Sequence, residues 1–520
     1  MSLKRALKEI ELFSKNNSKK WNGKKTGATI LVEIRDLPSQ TLTSGYICGI
    51  FMKSFGYQPA ALATGDNPKS KKVLSSFGVD NFHNLSFKKI SLGRLKIAFF
   101  AAIGVFGLFI KFLISGLSFE HFISKAKYQK VLIGDLLYNL YIRNGHHYKN
   151  PYSRLDKLFY IAFKAVFYIC YMQHKFDLSN VRAVVVTSYS YANLGGIMSR
   201  LAVAYHIPLI VTTGTFARRI STLKKLQESV YSIQKKSMES IKSSINWESS
   251  VDEYLKNRFS GNIAQHDVIN SYCGIKYSKR NLLSKIGLEE NDQRPIVFLM
   301  PHAFSDACHA SGPFLFRDYY QWTIKTLQYI KNIQDVCWII KPHPSSYMYE
   351  EEGFINDLLV DILNGSNMFL CPTDLNTTSV FDVASTIITG RGTIAIEAAA
   401  FGINTIMAGE APWSGYGICY EPKTQDEYFE LLNKVPHYQG MNSKLQNKAK
   451  QLIHCYLINI HIKSKVIPEL RIIPGDLIND KWEEFFHELN KKLTVTSFKD
   501  DKFFQKLEKF IVNGNDSIHL

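Results

Sequence analysis

Cysteine is sparse in this sequence, eight residues in 520, and no two of them form a CxxC pair. Cys48, Cys170, Cys273, Cys308, Cys337, Cys371, Cys419 and Cys455 are scattered, several inside apolar runs. That pattern indicates neither a zinc site nor a redox motif and fits buried thiols in a reducing compartment. No apolar core of signal-peptide length follows the basic, polar start MSLKRALKEIELFSKNNSKKWNGKK, so secretion is not expected. Zinc-finger spacing, an RNP-type aromatic strand and a recognition-helix signature are all missing, which removes the common nucleic-acid modules. Acidic residues are in deficit, 45 against 63 lysines and arginines, for a formal net charge of +18. Much of that surplus is lysine on solvated faces; the rest suits an anionic membrane surface or an anionic substrate.

What is present is an ordinary globular composition, 46% hydrophobic and 21% charged, at a length that predicts two or three domains. Ala28 to Ile34 (ATILVEI) reads as a buried strand, and Pro59 to Ala63 as the next. Ile97 to Leu117 is almost wholly apolar, interrupted by Lys111 and preceded by Lys88, Lys89, Arg94 and Lys96. Its length approaches that of a membrane span, and three placements follow: a buried core helix, a helix lying in a membrane interface, or a true span. Gly134 to Arg143 reads as a helix with Asp135 at its N-terminal end. His146 and His147 are adjacent without a third ligand and are poor evidence for a metal. Val184 to Gly214 reads as a βαβ unit whose loop Ser188 to Gly195 leaves the carboxyl end of a strand. From Phe216 the chain turns polar and lysine-rich, and 216–260 is expected to be an exposed helical excursion. The division that follows is a first domain over 1–285, a second over 286–480 and a helical tail over 481–520.

The second half carries the chemistry. Strands are expected at Pro295 to Met300, Val336 to Ile340, Ile387 onward and Asn404 to Ala408, alternating with helices. This predicts a doubly wound parallel sheet, with the loops after its strands gathered at one edge. Three such loops are Pro301 to Asp306, Lys341 to Pro344, and Gly390-Arg391-Gly392-Thr393, the last opening the helix IAIEAAAFG. Together they offer His302, Asp306, Lys341, His343, Arg391 and Thr393. Free backbone N–H groups at the helix start suit a phosphate or carboxylate. Lys341 or His343 could neutralise a departing phosphate. Glu397, one turn into the helix, could bind ribose hydroxyls.

Residues Ile296 to Leu432 resemble the donor-binding half of GT-B glycosyltransferases that build bacterial surface polysaccharides, including the Kdo (3-deoxy-manno-octulosonic acid) transferases. In that group a strand leads into a Pro-x-Gln-x-x-x-Asp-like loop. The matching segment here is Pro301-His302-Ala303-Phe304-Ser305-Asp306, with His302 as the nearest polar substitute for the glutamine and Asp306 as the better carry-over. Lys341-Pro342-His343-Pro344 is similar to the HP motif of CMP-sugar-using transferases, in which the histidine meets the CMP phosphate. Gly392-Thr393 with Glu397 and Gly402 looks like the hydroxyl-bearing turn and Glu-containing helix of the same site. Toward the N-terminus the resemblance is loose, through ATILVEIRD and GDLLYNLYIR.

The resemblance implies an α/β chain of GT-B type, two Rossmann-like doubly wound domains facing across a cleft, with donor in the C-terminal domain and acceptor in the N-terminal one. It implies metal-independent chemistry with no cofactor beyond a nucleotide sugar. The one Asp-Asp pair, Asp500-Asp501, falls in the polar tail, away from any loop suited to a DxD. Donor binding is expected from His302, Lys341, His343, Pro344, Arg391, Gly392, Thr393 and Glu397. The catalytic candidates are Asp306, and Asp36 and Asp135 from N-terminal loops. The expected function is transfer of a sugar, Kdo or another acidic one, from a CMP-sugar to a capsule, lipopolysaccharide or O-antigen glycan. The expected location is cytoplasmic, peripheral on the inner membrane, with no nucleic-acid partner. Two other functions fit the residues: a CDP-alcohol phosphotransferase of the teichoic-acid type, and a non-catalytic scaffold or glycan-binding subunit of an assembly complex.

Overall fold

The computed structural model describes all residues except 1, 19–20, 22, 88–91, 242–245, 263–270, 363–366, 471–477 and 520. Lys88 and Lys89, two of the basic residues before the long apolar stretch, lie outside the described residues. The chain divides into two compact units. The first comprises Met1–Tyr141, Tyr152–Leu226 and His461–Leu520; the second comprises Ile142–Pro151 and Gln227–Ile460.

In the first unit the strands are β1 (Thr29–Glu33), β2 (Gln58–Ala63), β3 (Asn81–Asn84), the two-residue hairpin β4 (Lys127–Tyr128) and β5 (Val131–Leu132), then β6 (Val181–Val186), β7 (Leu209–Thr213) and β8 (Phe216–Ile220). The main sheet has the order β3-β2-β1-β6-β7-β8. It is parallel except for β8, which runs antiparallel to β7. In the second unit β9 (Ile296–Met300), β10 (Cys337–Ile340), β11 (Met368–Leu370), β12 (Thr386–Thr389) and β13 (Asn404–Met407) form an all-parallel sheet in the order β11-β10-β9-β12-β13. Both sheets are doubly wound: the strand order reverses beside the first strand, between β1 and β6 in one and between β9 and β12 in the other. The expected fold class is therefore observed in both units. The strands are legible because parallel strands covered on both faces are near-continuous apolar runs. IVFLM and CWII are buried along almost their whole length.

The expected boundaries need three corrections. The first unit gives way to the second after Leu226, not near 285, and Ile142–Pro151 within that stretch already belong to the second unit, which ends at Ile460. Phe216–Ile220 is no part of an exposed excursion: Phe216, Ala217 and Ile220 are buried in the edge strand. From Gln227 on, the supposed excursion belongs to the second unit, where Val251 and Leu255 of the helix Trp247–Phe259 pack against Ala395, Ile396 and Ala399. The tail is not a separate element. Helices Ile478–Leu493 and Lys502–Asn513 insert Trp482, Phe486, Phe503 and Phe504 into the same core as Phe13, Tyr46 and Phe77. Their amphipathic spacing needs an apolar partner, and the N-terminal helix Ser2–Asn17 and the helix Pro38–Phe55 supply it.

Candidate anion-binding site

The register of the second sheet puts the ends of three strands level: Ile340 pairs with Leu299, and Thr389 with Met300. The segments that leave them, Pro301-His302, Lys341 to Pro344 and Gly390 to Thr393, therefore emerge side by side at the reversal point. They line one pocket of about 220 Å³ together with Arg258, Tyr272 and Glu397. Of the expected donor-site residues, His302, Lys341, His343, Pro344, Arg391, Gly392, Thr393 and Glu397 all line it.

His302 is held edge and face. Its Nε2 accepts the Arg391 backbone N–H at 3.1 Å, and its ring stacks on Tyr319 at 4.4 Å between centroids and 11° between planes. The His343 ring lies 6.0 Å away, nearly parallel. Burial, with the His343 ring and the Arg391 charge adding to it, pushes the His302 pKa well below the usual 6.5. His302 is thus neutral at physiological pH, and with Nε2 accepting, the proton sits on Nδ1. The close approach explains one glycine: a Cβ on Gly390 would sit 2.9 Å from the His302 ring and 3.0 Å from the Tyr319 ring. His343 is turned by its own loop, Nδ1 accepting the Ser345 N–H at 3.2 Å.

Lys341 is the open charge. Burial lowers its pKa from the usual lysine value. Among the described residues no carboxylate forms an ion pair with its ammonium. A half-buried cation without a counter-charge gains from a ligand that supplies one. The other positive groups in the pocket are committed. The Arg391 guanidinium turns to the carbonyls of Gly312 and Pro313, at 3.3 to 3.4 Å, and lies over Phe314. Its contribution to the pocket wall is structural. Arg258 forms an ion pair with Glu397, and the Tyr272 hydroxyl donates to the second Glu397 oxygen at 3.3 Å. Burial raises the Glu397 pKa, opposed by Arg258. Glu397 is therefore engaged on both oxygens, and a ribose would have to share it with these partners. Arg258 and Tyr272 were not singled out from the sequence. The available signal was the 4-3 spacing of Val251, Leu255 and Arg258 on one helix face.

The expected acids are placed differently. Asp306 does not line the pocket; its carboxylate accepts the Ala307 N–H at 2.8 Å within its own loop. Asp135 is not an available base. It is buried, forms an ion pair with the equally buried Arg200, and accepts the Leu136 N–H at 2.9 Å. Asp36, after β1, is 40% exposed and lies 3.5 Å from Lys69. The helix that Thr393 precedes, Ile394–Ala400, has only seven residues, so the polar character of the pocket is carried by side chains. Among the described residues no group of three or more His, Cys, Asp or Glu is arranged to hold a metal ion.

No protein-family model and no curated protein matches the sequence. Among solved structures, the chain is similar to the KpsC beta Kdo 2,7 transferase of Thermosulfurimonas dismutans at 12% identity, covering 62% of this chain and 88% of that one, with a TM-score of 0.33. It is similar to a glycosyltransferase of Rickettsia africae at 13% identity, covering 89% and 99%, with a TM-score of 0.28. It is also similar to a UDP-GlcNAc 2-epimerase of Methanocaldococcus jannaschii at 8% identity, covering 82% and 98%, with a TM-score of 0.26. Likeness at these scores carries no functional weight, and the chain's own residues have to supply it.

Proposed function

We propose that this chain is a glycosyltransferase that moves a sugar from a nucleotide-sugar donor, CMP-linked, to a glycan of the bacterial surface. The observation that carries this reading is Lys341, a half-buried ammonium without a carboxylate partner among the described residues, at the reversal point of a parallel sheet and beside two histidines. A single phosphate matches a single open cation, and the Lys-Pro-His-Pro segment adds its similarity to the HP motif. An acidic sugar such as Kdo, and a capsule or lipopolysaccharide acceptor, follow from the same resemblance.

In this reading an acceptor hydroxyl oxygen bonds to the anomeric carbon as the bond from that carbon to the phosphate oxygen breaks. The electron pair stays on the departing CMP phosphate, where Lys341 meets the developing charge and His302, through Nδ1–H, can donate to it. The hydroxyl proton goes to a carboxylate.

Thermal shift over CMP, CDP, UDP and GDP tests the donor. CMP should raise the melting temperature of the wild type, and Lys341→Ala should abolish that rise and lower turnover on the order of 10² to 10³-fold. Stabilisation by UDP or GDP but not CMP would remove the CMP assignment. A phosphodiester product would favour the phosphotransferase.

A further inference from the structure

The first unit carries a surface that catalysis does not require. The helix Leu92–Ile114 is 23 residues long and almost wholly apolar, its charged residues being Arg94, Lys96 and Lys111. Its Ile97, Ala101, Val105, Leu108 and Phe112 are buried. This face packs toward the helix Leu155–Lys175. The opposite face is just as apolar but open. Leu95, Phe99, Ile103, Phe106, Ile110 and Leu113 recur at steps of three and four residues, and Phe99 and Phe106 are each 64% exposed. A soluble surface rarely leaves so continuous an apolar stripe uncovered.

Charge says what covers it. No acidic residue occurs between Asp80 and Glu120. Lys96 and Lys111 are exposed on the same helix. At its C-terminal end is a hollow of about 110 Å³ with Leu108, Phe112 and Phe122 as apolar wall and Lys111, Lys125, Lys127 and His121 around it. Among the described residues none of these three lysines pairs with a carboxylate. A second copy of the chain would bring like charges together along this stripe, whereas an anionic lipid surface complements both the apolar face and its basic margin. A spanning orientation would require the docked face to leave its place against the helix Leu155–Lys175.

We propose that the helix Leu92–Ile114 lies in the headgroup boundary of an anionic bilayer, its outward face in the acyl region, with the lysine-lined hollow holding a phospholipid phosphate. Flotation of the full chain with vesicles tests this without any nucleotide, so its outcome is separate from that of the transferase reading. Phosphatidylcholine vesicles mixed with phosphatidylglycerol should carry the protein up, and pure phosphatidylcholine should carry much less. Phe99→Ser with Phe106→Ser, both outward-facing, should remove binding while leaving the melting temperature unchanged. Lys111→Gln with Lys125→Gln should weaken it on the order of twenty-five-fold, about fivefold for each charge near the surface. The proposal is overturned if the wild type does not float, if it floats equally on both vesicles, or if the serine variant floats like the wild type. It is overturned equally if inorganic phosphate binds the hollow while vesicles do not. Sizing that shows a dimer which the serine variant splits would assign the stripe to a second copy instead.

Discussion

The two units share a sheet topology and differ at the equivalent place. In the first, the end of β1 beside β6 is filled by a carboxylate. Glu33 is buried and accepts four hydrogen bonds, from the Thr187 and Ser188 backbone N–H groups at 2.8 and 3.0 Å and from their hydroxyls at 3.2 and 2.6 Å. A Cβ on Gly195 would overlap that carboxylate. In the second unit, the equivalent reversal point holds an open pocket with an ammonium that no carboxylate neutralises among the described residues. One reversal point is charged and satisfied; the other is charged and waiting. Topology provides the location, and only the side chains decide whether it becomes mortar or a binding site.

That contrast can be broken at four residues. The largest effect is expected at Asp135→Asn, which leaves the buried Arg200 without its counter-charge; chemical denaturation should show a loss of about 3–5 kcal/mol. If the variant keeps its stability but loses turnover, Asp135 is a catalytic group after all. Glu33→Ala removes the acceptor from two buried backbone N–H groups and should lower stability by about 2–3 kcal/mol, with CMP binding unchanged. Altered nucleotide affinity in that variant would mean the first reversal point is also a ligand site.

The smallest effect concerns pH. His302 has a folded pKa depressed below 6.5, so below 6.5 the unfolded chain binds a proton that the folded one does not. Stability should therefore fall on acidification through this range, by about 1.4 kcal/mol for each pH unit until the folded value is reached. His83, His454 and His461 are depressed as well, so the readout is the difference between wild type and His302→Gln, whose profile should be flatter. Lys341 has the opposite consequence for binding. Its depressed pKa means that CMP affinity should fall as pH rises through a value below that of an ordinary lysine, a fall that Lys341→Arg should abolish in titrations.

The second sheet was legible because IVFLM, CWII and TIIT are apolar runs bounded by loop residues. Once the strands are parallel, their following loops must meet at one edge, and so Lys341, His343 and Thr393 were found together. Side-chain direction was not legible. Arg391 turns to carbonyls 78 and 79 positions away, and Glu397 is claimed by Arg258 from a helix whose polarity read as solvent exposure. Glu33 lay inside the apolar run ATILVEI, where nothing local shows that its partners arrive from Thr187 and Ser188. The destination of the C-terminal helices was equally hidden, since amphipathic spacing specifies that a face is buried but not against what.

The return of the chain at His461 to complete the first unit has a consequence for synthesis. As the polypeptide emerges from the ribosome, the second unit has all its residues once Ile460 is free, while the first still lacks Trp482, Phe486, Phe503 and Phe504 from its core. The second unit, though encoded later, can therefore finish folding first, with the early strands left incomplete until the helices at 478–513 arrive. Nascent chains halted between these two points should resist protease over 227–460 and be cut before 226.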